Sequence, residues 1–172
     1  MTDEELIAEF LKGNEKGFER LMKRYQPQAY CLARAIANDR EEAKDITQKA
    51  FIQAFKRLSS LRQRNRFRSW FFKIILNLCR DYLKNKKSII SLETDREPAT
   101  SFEEEVIKRD LKEKTKKALS LLPPRQKEVI ILRVFQGLSF NEISEILDFK
   151  PETARTNFYF GVRNLKQLLR ED

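Results

Sequence analysis

Between Asp45 and Asp81 the chain holds nine Lys and Arg residues and not one Asp or Glu. They are Lys49, Lys56, Arg57, Arg62, Arg64, Arg66, Arg68, Lys73 and Arg80. Arg62, Arg64, Arg66 and Arg68 alternate through the segment RQRNRFR. Further on, Lys73, Asn77, Arg80 and Lys84 follow at steps of four, three and four, which puts them on one face of a helix. A loop of arginines running into a basic helical stripe is suited to a phosphate backbone. Phe67 and Trp70 stand among these charges. An aromatic side chain there either stacks on unpaired bases or joins the core beside Phe71, Ile74 and Ile75.

A second constellation lies near the C-terminus, in GLSFNEISEILDFKPETARTNFYFGVRNLKQLL. It reads as a cap, a short helix, a tight turn and a longer helix, the pattern of a helix-turn-helix whose second helix enters a DNA major groove. Ala154, Phe158, Val162, Leu165 and Leu169 recur at helical steps and are expected to face inward. Arg155, Thr156, Tyr159, Arg163 and Lys166 are expected to face outward. Arg can read guanine bidentately, Thr can bond base edges or phosphates, and an aromatic can pack on a thymine methyl. An ordinary helical hairpin with a solvated face fits the same pattern.

Catalytic chemistry has little to build on. There is no histidine, which removes Ser-His-Asp and Cys-His relays and His-ligated metals. No Gly-rich phosphate loop, H-E-x-x-H or G-x-S-x-G is present, so neither a catalytic residue nor a metal or cofactor is expected. Cys31 and Cys79 are far apart and are expected to be reduced core thiols. The longest apolar run, Ala29 to Ala33, is five residues, so no membrane insertion is expected. MTDEELIAEF lacks the basic and apolar segments of a signal peptide, and a cytoplasmic protein is expected.

The elements that must position these groups are helices. In 172 residues there are only 4 Gly and 5 Pro, and apolar residues recur at helical spacing almost throughout. Thr2-x-x-Glu5, Asp39-x-x-Glu42, Ser101-x-x-Glu104 and Ser139-x-x-Glu142 read as capping boxes. Asn14 is a further candidate cap, and Pro27 is expected to kink or interrupt the helix that follows it. On the third helix Ala43, Ile46, Ala50, Phe51, Ala54, Phe55 and Leu58 point inward. Asp45, Gln48, Ile52 and Lys56 line the opposite face, where an apolar Ile52 among polar neighbours suggests a protein contact. Residues 59–66 read as a loop, Phe67 to Lys87 as a strongly apolar helix, and 85–100 as a linker. Pro123-Pro124 closes one helix, and Pro124 opens the next, which runs to Phe135 before Gly137.

The net charge of +9 conceals an uneven distribution. Residues 1–88 carry +9, residues 89–113 carry −4 and residues 114–172 carry +4, so two basic modules flank an acidic strap. On the residues alone, two functions remain open. One is a transcription factor working through a protein partner, and the other is a stand-alone helix-turn-helix regulator.

Together these blocks resemble the extracytoplasmic-function (ECF) sigma factors of bacterial RNA polymerase. EEAKDITQKAFIQAF is similar to the family's core-binding helix, A-E-D-x-x-Q-x-x-F. WFFKIILNLCRDYLKNKK is similar to its W-L-x-x-I-A-x-N-x-x-x-D-x-x-R helix, with Trp70, Asn77 and Asp81 at the matching places. LPPRQKEVIILRVFQGLSFNEISEILDFKPETARTNF is similar to its L-P-x-x-x-R-E-V-x-x-L … G-L-S-Y-x-E-I-A-E-x-L … T-V-K-S pattern. The resemblance covers nearly the whole chain.

The resemblance implies an all-α fold of two small helical domains joined by a flexible linker, the second containing the helix-turn-helix. Residues 1–88 are expected to bind polymerase core and to recognise and melt the minus-ten element, residues 89–101 to link, and residues 102–172 to bind the minus-thirty-five element. It implies core contacts at Asp45, Gln48, Lys49, Phe51 and Ile52. Minus-ten contacts are implied at Arg62, Arg64, Arg66, Arg68, Trp70, Lys73, Asn77, Arg80 and Lys84. Minus-thirty-five contacts are implied at Glu152, Thr153, Arg155, Thr156, Tyr159, Phe160 and Arg163. The partners implied are RNA polymerase core and promoter DNA, both double-stranded and melted, with an anti-sigma factor as a candidate regulator. Three departures stand out. Arg155-Thr156-Asn157 replaces the usual Lys-Ser-Arg, Phe160-Gly161-Val162 replaces a later Arg-Ala-Arg, and Asp148 stands in the turn where Gly is usual. Asp tolerates a left-handed backbone better than most residues, so the turn is expected to form.

Overall fold

In a computed structural model, residues 1–90 and 106–171 are described, and all of their regular structure is helical. The N-terminal lobe consists of α1 (Asp3–Leu11), α2 (Lys16–Ala37), α3 (Arg40–Arg57) and α4 (Phe67–Ile90). Two short 3-10 turns, Leu58–Ser60 and Arg64–Arg66, lie between α3 and α4, where a plain loop is expected from sequence. The C-terminal lobe consists of α5 (Val106–Leu121), α6 (Pro124–Ile130), α7 (Phe140–Leu147) and α8 (Pro151–Glu171). The Ser101 cap and residues 91–101 of the linker lie outside the described residues.

Local chemistry sets the helix ends. Thr2 Oγ1 accepts from the Glu5 N–H while Glu5 Oε2 accepts from the Thr2 N–H at 2.7 Å, a complete capping box. Ser139 and Glu142 repeat the arrangement at α7. Asp39 caps α3 by accepting from the Glu41 and Glu42 N–H groups, but Glu42 shows no return bond, so this is a cap rather than a box. Asn14 Oδ1 accepts from the Lys16 N–H at the start of α2. Asn38 and Asp148 end α2 and α7 in left-handed conformation, at φ 55° and 57°. Asp148 thus fills the glycine's usual place in the turn, as its side chain permits. Pro27 does not interrupt α2, which runs unbroken across it: Pro costs one N–H in the ladder, and burial of Tyr25, Ala29, Leu32 and Ala33 holds the helix together on either side. Pro124 opens α6, whose continuation Ile131–Phe135 widens into a π turn before Gly137.

Packing corrects four expectations. Phe55 and Leu169 remain 42% and 37% exposed instead of facing inward, and Gly161 takes the buried place on α8 beside α6. A Cβ on Gly161 would come within 2.8 Å of Ile130 Cδ1 and 3.2 Å of Gln126 Cβ, so a side chain there requires these α6 side chains to shift. Cys31 is exposed because it falls on the solvent side of α2, whereas Cys79 is buried. Phe51, expected both to point inward and to contact the partner, takes the inward place: it is only 5% exposed, and its ring lies 4.7 Å from that of Phe71. One continuous apolar core runs through both lobes: Phe72, Ile75 and Leu76 of α4 belong to it together with Ile143, Ile146 and Leu147 of α7.

Candidate functional site

Three surfaces collect the residues singled out by sequence. On α3, Asp45, Gln48 and Lys49 are exposed, and Ile52 is 48% exposed beside them. The helix presents this face because Ala43, Ile46, Ala50 and Ala54 turn the other side into the core. Next to it runs a groove of about 600 Å³ between α2 and α3, lined by Phe18, Met22, Tyr30, Gln48, Ile52 and Phe55. An apolar floor with a polar rim suits a protein partner rather than an anion. The exposure of Met22 and Phe55 is what opens the groove, and no periodicity signals it because both fall within apolar stripes.

The basic stripe of the N-terminal lobe is assembled as its spacing predicts. Arg62, between the two short turns, and Arg64, which opens the second, are exposed. Arg66 ends the second short turn, and Arg68, Lys73 and Arg80 continue along α4, with Asn77 and Lys84 exposed among them. Trp70 is only partly buried, its ring 5.9 Å from that of Phe67, which is itself fully buried. Of the two aromatic candidates, Phe67 therefore serves the core and Trp70 keeps a free edge. Arg68 lies over the Phe72 ring at 5.7 Å and donates to the carbonyl of Gln136, which follows the π turn. Arg80 donates from Nε and Nη2 to the two carboxylate oxygens of Glu128, both at 2.8 Å, and from Nη1 to Asn77 Oδ1 at 3.5 Å. The Glu128 hydrogen bonds raise the Arg80 pKa above its ordinary value, so the guanidinium stays cationic. Nearby, burial lowers the Lys127 pKa from the usual lysine range, and its ammonium donates to the Ile36 carbonyl at 3.3 Å.

The third surface is the solvent side of α8. Glu152, Thr153, Arg155, Thr156, Tyr159, Phe160 and Arg163 are all exposed. The capping box of α7 and the left-handed Asp148 fix the turn that aims this helix, and Ala154 packs it down with no exposed surface. Arg155 lies 5.6 Å over the Phe140 ring and 3.9 Å from Glu152, so its guanidinium is steadied but not buried. Tyr159 and Phe160 form an edge-on aromatic pair, 66% and 44% exposed. Among the described residues no group of His, Cys, Asp or Glu is arranged to hold a metal ion, and no helix is long and apolar enough to cross a membrane.

One feature escapes a sequence reading altogether. Glu142, Glu145 and Asp148, three residues apart along α7 and its turn, face the basic stripe of α4, and Glu128 of α6 joins them. The spacing is visible in the sequence, but the lobe contact that gives it meaning is not.

Comparison with known proteins follows the same division. The family model for sigma-70 region 2 matches residues 21–89, and that for sigma-70 region 4 matches residues 112–165. The chain is 28% identical to the ECF RNA polymerase sigma factor SigW of Bacillus subtilis, over 96% of its own length and 95% of that protein's. It is 32% identical to the RNA polymerase sigma factor SigV of B. subtilis, over 83% and 86% of the two chains. With the ECF RNA polymerase sigma-E factor of Escherichia coli it shares 28% identity over 92% and 90%. Among solved structures, CnrH in complex with the cytosolic domain of CnrY is similar in fold, with a TM-score of 0.79 at 23% identity over 99% and 98% of the chains. The sigma factor RpoE in complex with the anti-sigma factor NepR from Bartonella quintana gives 0.73 at 20% identity over 91% and 99%.

Proposed function

We propose a division of labour among these surfaces for a chain that belongs to the extracytoplasmic-function (ECF) sigma factors, and so binds RNA polymerase core and directs promoter-specific transcription initiation. Polymerase core docks on the α3 face through Asp45, Gln48, Lys49 and Ile52, with the adjoining apolar groove as its floor. Phe51 supports this face from beneath. Arg62, Arg64, Arg66, Arg68, Lys73, Asn77, Arg80 and Lys84 take the minus-ten element, and Trp70 supplies a stacking surface for the melted strand. Glu152, Thr153, Arg155, Thr156, Tyr159, Phe160 and Arg163 of α8 take the minus-thirty-five element in its major groove. The domain boundaries at 88 and 102 belong to the same proposal.

The observation that carries it is the separation of the three faces. The partner face lies on α3, the base-reading face on α8 and the polycationic stripe on α4, so one chain can hold polymerase and two promoter elements together. A stand-alone regulator needs neither the α3 face nor the groove beside it. The work is done by binding rather than by a catalytic group, in the bacterial cytoplasm at promoter DNA. An anti-sigma factor is a further proposed partner, of the kind bound to RpoE of B. quintana in its solved complex.

Core association of Asp45→Arg and Gln48→Ala variants tests the first assignment. Weaker binding with unchanged melting temperature is expected, because both side chains are exposed. Normal core affinity in both variants removes this site. For the third face, Arg155→Ala is expected to impair use of the upstream element without affecting melting. Unchanged discrimination between promoters with altered upstream sequence contradicts it.

A further inference from the structure

Of the cations on the solvent face of α8, Arg155 alone among the described residues has its charged head held by a ring. Its guanidinium carbon lies 5.6 Å from the centre of the Phe140 ring. Arg163 and Lys166 are exposed and have neither ion pair, hydrogen bond nor ring contact with any described residue. Phe140 is the first residue of α7, directly after Ser139, so the capping box fixes its place. The ring is held on further sides as well. It meets the Phe158 ring edge-on at 5.7 Å and packs, partly buried, against the core. Arg133 lies over it at 4.8 Å, with Nη1 tied to the Leu138 carbonyl at 2.8 Å. A side chain locked by its own packing can lock another in turn.

A reading arginine needs a fixed fork. Its side chain has several rotatable bonds, and ordering them on a base costs entropy. A contact made through the guanidinium face lowers that cost and leaves the in-plane N–H donors for the two acceptors of guanine. Glu152 is the other neighbour, at 3.9 Å, but a carboxylate engages the same donors that a base edge needs. One contact therefore orients Arg155 for a base, and the other competes with the base. Arg155 is the fifth residue of α8, in the N-terminal part from which a recognition helix reaches base edges. Arg163 and Lys166 lie further along, and their unheld heads suit phosphates, which position the duplex and carry no sequence.

We propose that Phe140 is a positioning residue for promoter reading: its ring, clamped by Arg133 and Phe158, aims the Arg155 guanidinium at one base pair of the minus-thirty-five element. This rests on the assignment of α8 to that element made above. Phe140 sets how sharply that one base pair is discriminated, while the remaining pairs and the grip on the duplex are set elsewhere on α8.

The test is selection of promoter duplexes, randomised across the upstream element, by polymerase holoenzyme assembled with the full chain, and sequencing of the bound fraction. Arg155→Ala identifies the base pair in question as the position whose preference flattens. Phe140→Leu keeps an apolar side chain and removes the π face. An exposed cation–π contact corresponds to about a two- to fivefold effect, so discrimination at that position is expected to fall by this factor. Phe140→Tyr is expected to keep it, and Phe140→Leu/Arg155→Ala should be no worse there than Arg155→Ala alone. A loss spread evenly over all positions, or none at the Arg155 position, overturns the proposal and leaves the minus-thirty-five assignment standing. If Arg155→Ala flattens no position, that assignment fails and the proposal with it. A measurement on the free chain keeps the test decisive should the Leu variant fail to fold. The Arg155 Nε–H proton, assigned by its loss in Arg155→Ala, should show an upfield ring-current shift in the wild-type NMR spectrum. The shift should persist in Phe140→Tyr and vanish in Phe140→Leu. An unshifted Arg155 resonance in the wild-type chain overturns the proposal without any variant.

Discussion

Replacing Arg80 by Met separates the lobe contact from the rest of the fold. The stem is kept and the guanidinium removed, leaving the Glu128 carboxylate with the more distant Arg125 Nη1 at 3.4 Å. The Glu128 side chain is 6% exposed, so water cannot replace the two lost 2.8 Å bonds without local opening. Removing one partner of a buried pair costs about 3–5 kcal/mol. Because the Arg80 side chain is itself 33% exposed and Arg125 remains, about 2 kcal/mol is expected here. For a chain of this size that corresponds to a drop of roughly 4–8 °C in melting temperature. Trp70, the sole tryptophan, gives a fluorescence probe in the N-terminal lobe, and circular dichroism follows both lobes. Adding Glu128→Leu to Arg80→Met removes the stranded charge and should recover most of the loss, which a double-mutant cycle measures directly. An Arg80→Met chain within about 0.5 kcal/mol of wild type, or a double variant no better than the single one, would show that the pair is not a desolvated lobe contact.

Gly17→Ala places a Cβ 2.3 Å from the Leu6 carbonyl oxygen and 2.9 Å from the Phe10 nitrogen, so α1 must move off α2; a loss on the order of 1–3 kcal/mol is expected in urea melts, and an unchanged midpoint contradicts the close crossing. Burial pushes the Cys79 thiol up to about 12, while Cys31 is exposed, so folded protein at pH 8 should react at one thiol and denatured protein at two; fast labelling of both in the fold contradicts this. Since the folded-state value lies above the ordinary 9.0, Cys79 favours the fold fully below pH 9, and that contribution fades as pH rises towards 12. Asp148→Gly should hold or slightly raise the melting temperature by relieving φ 57°, whereas Asp148→Val should lower it; the reverse order contradicts the left-handed turn.

The sequence makes the helices legible because each carries its own start and stop chemistry. Thr2 with Glu5, Ser139 with Glu142, and Pro124 mark helix starts through bonds that span three residues or fewer. The exposed faces of α3 and α8 follow from the same local periodicity, since burying Ala43, Ala50 and Ala154 leaves Asp45, Gln48 and Arg155 outside. What fails is whatever depends on a distant neighbour. Phe51 and Phe55 are adjacent apolar steps on α3, and only the approach of Phe71 to one and the open groove beside the other separates them. Pro27 looks like a break because propensity weighs the lost N–H, and burial on both sides of it outweighs that loss. The row of Glu128, Glu142, Glu145 and Asp148 facing α4 is the extreme case. Its partners are 48 to 79 positions away in the chain, so its carboxylates read as caps and solvated residues until the lobes are seen together.

The central claim, that one chain couples polymerase to promoter melting through the basic stripe, is tested most directly by run-off transcription with purified core enzyme on two templates. One template carries a duplex promoter, and the other carries the same promoter with a pre-melted minus-ten region. Wild-type protein should give promoter-specific transcripts on both, and core alone on neither. Arg62→Ala/Arg64→Ala, whose side chains are exposed and outside the contact between the lobes, should lose most activity on the duplex and keep most of it on the pre-melted template. Equal activity of this variant on both templates at the wild-type level, or transcripts from core without the protein, would contradict the account.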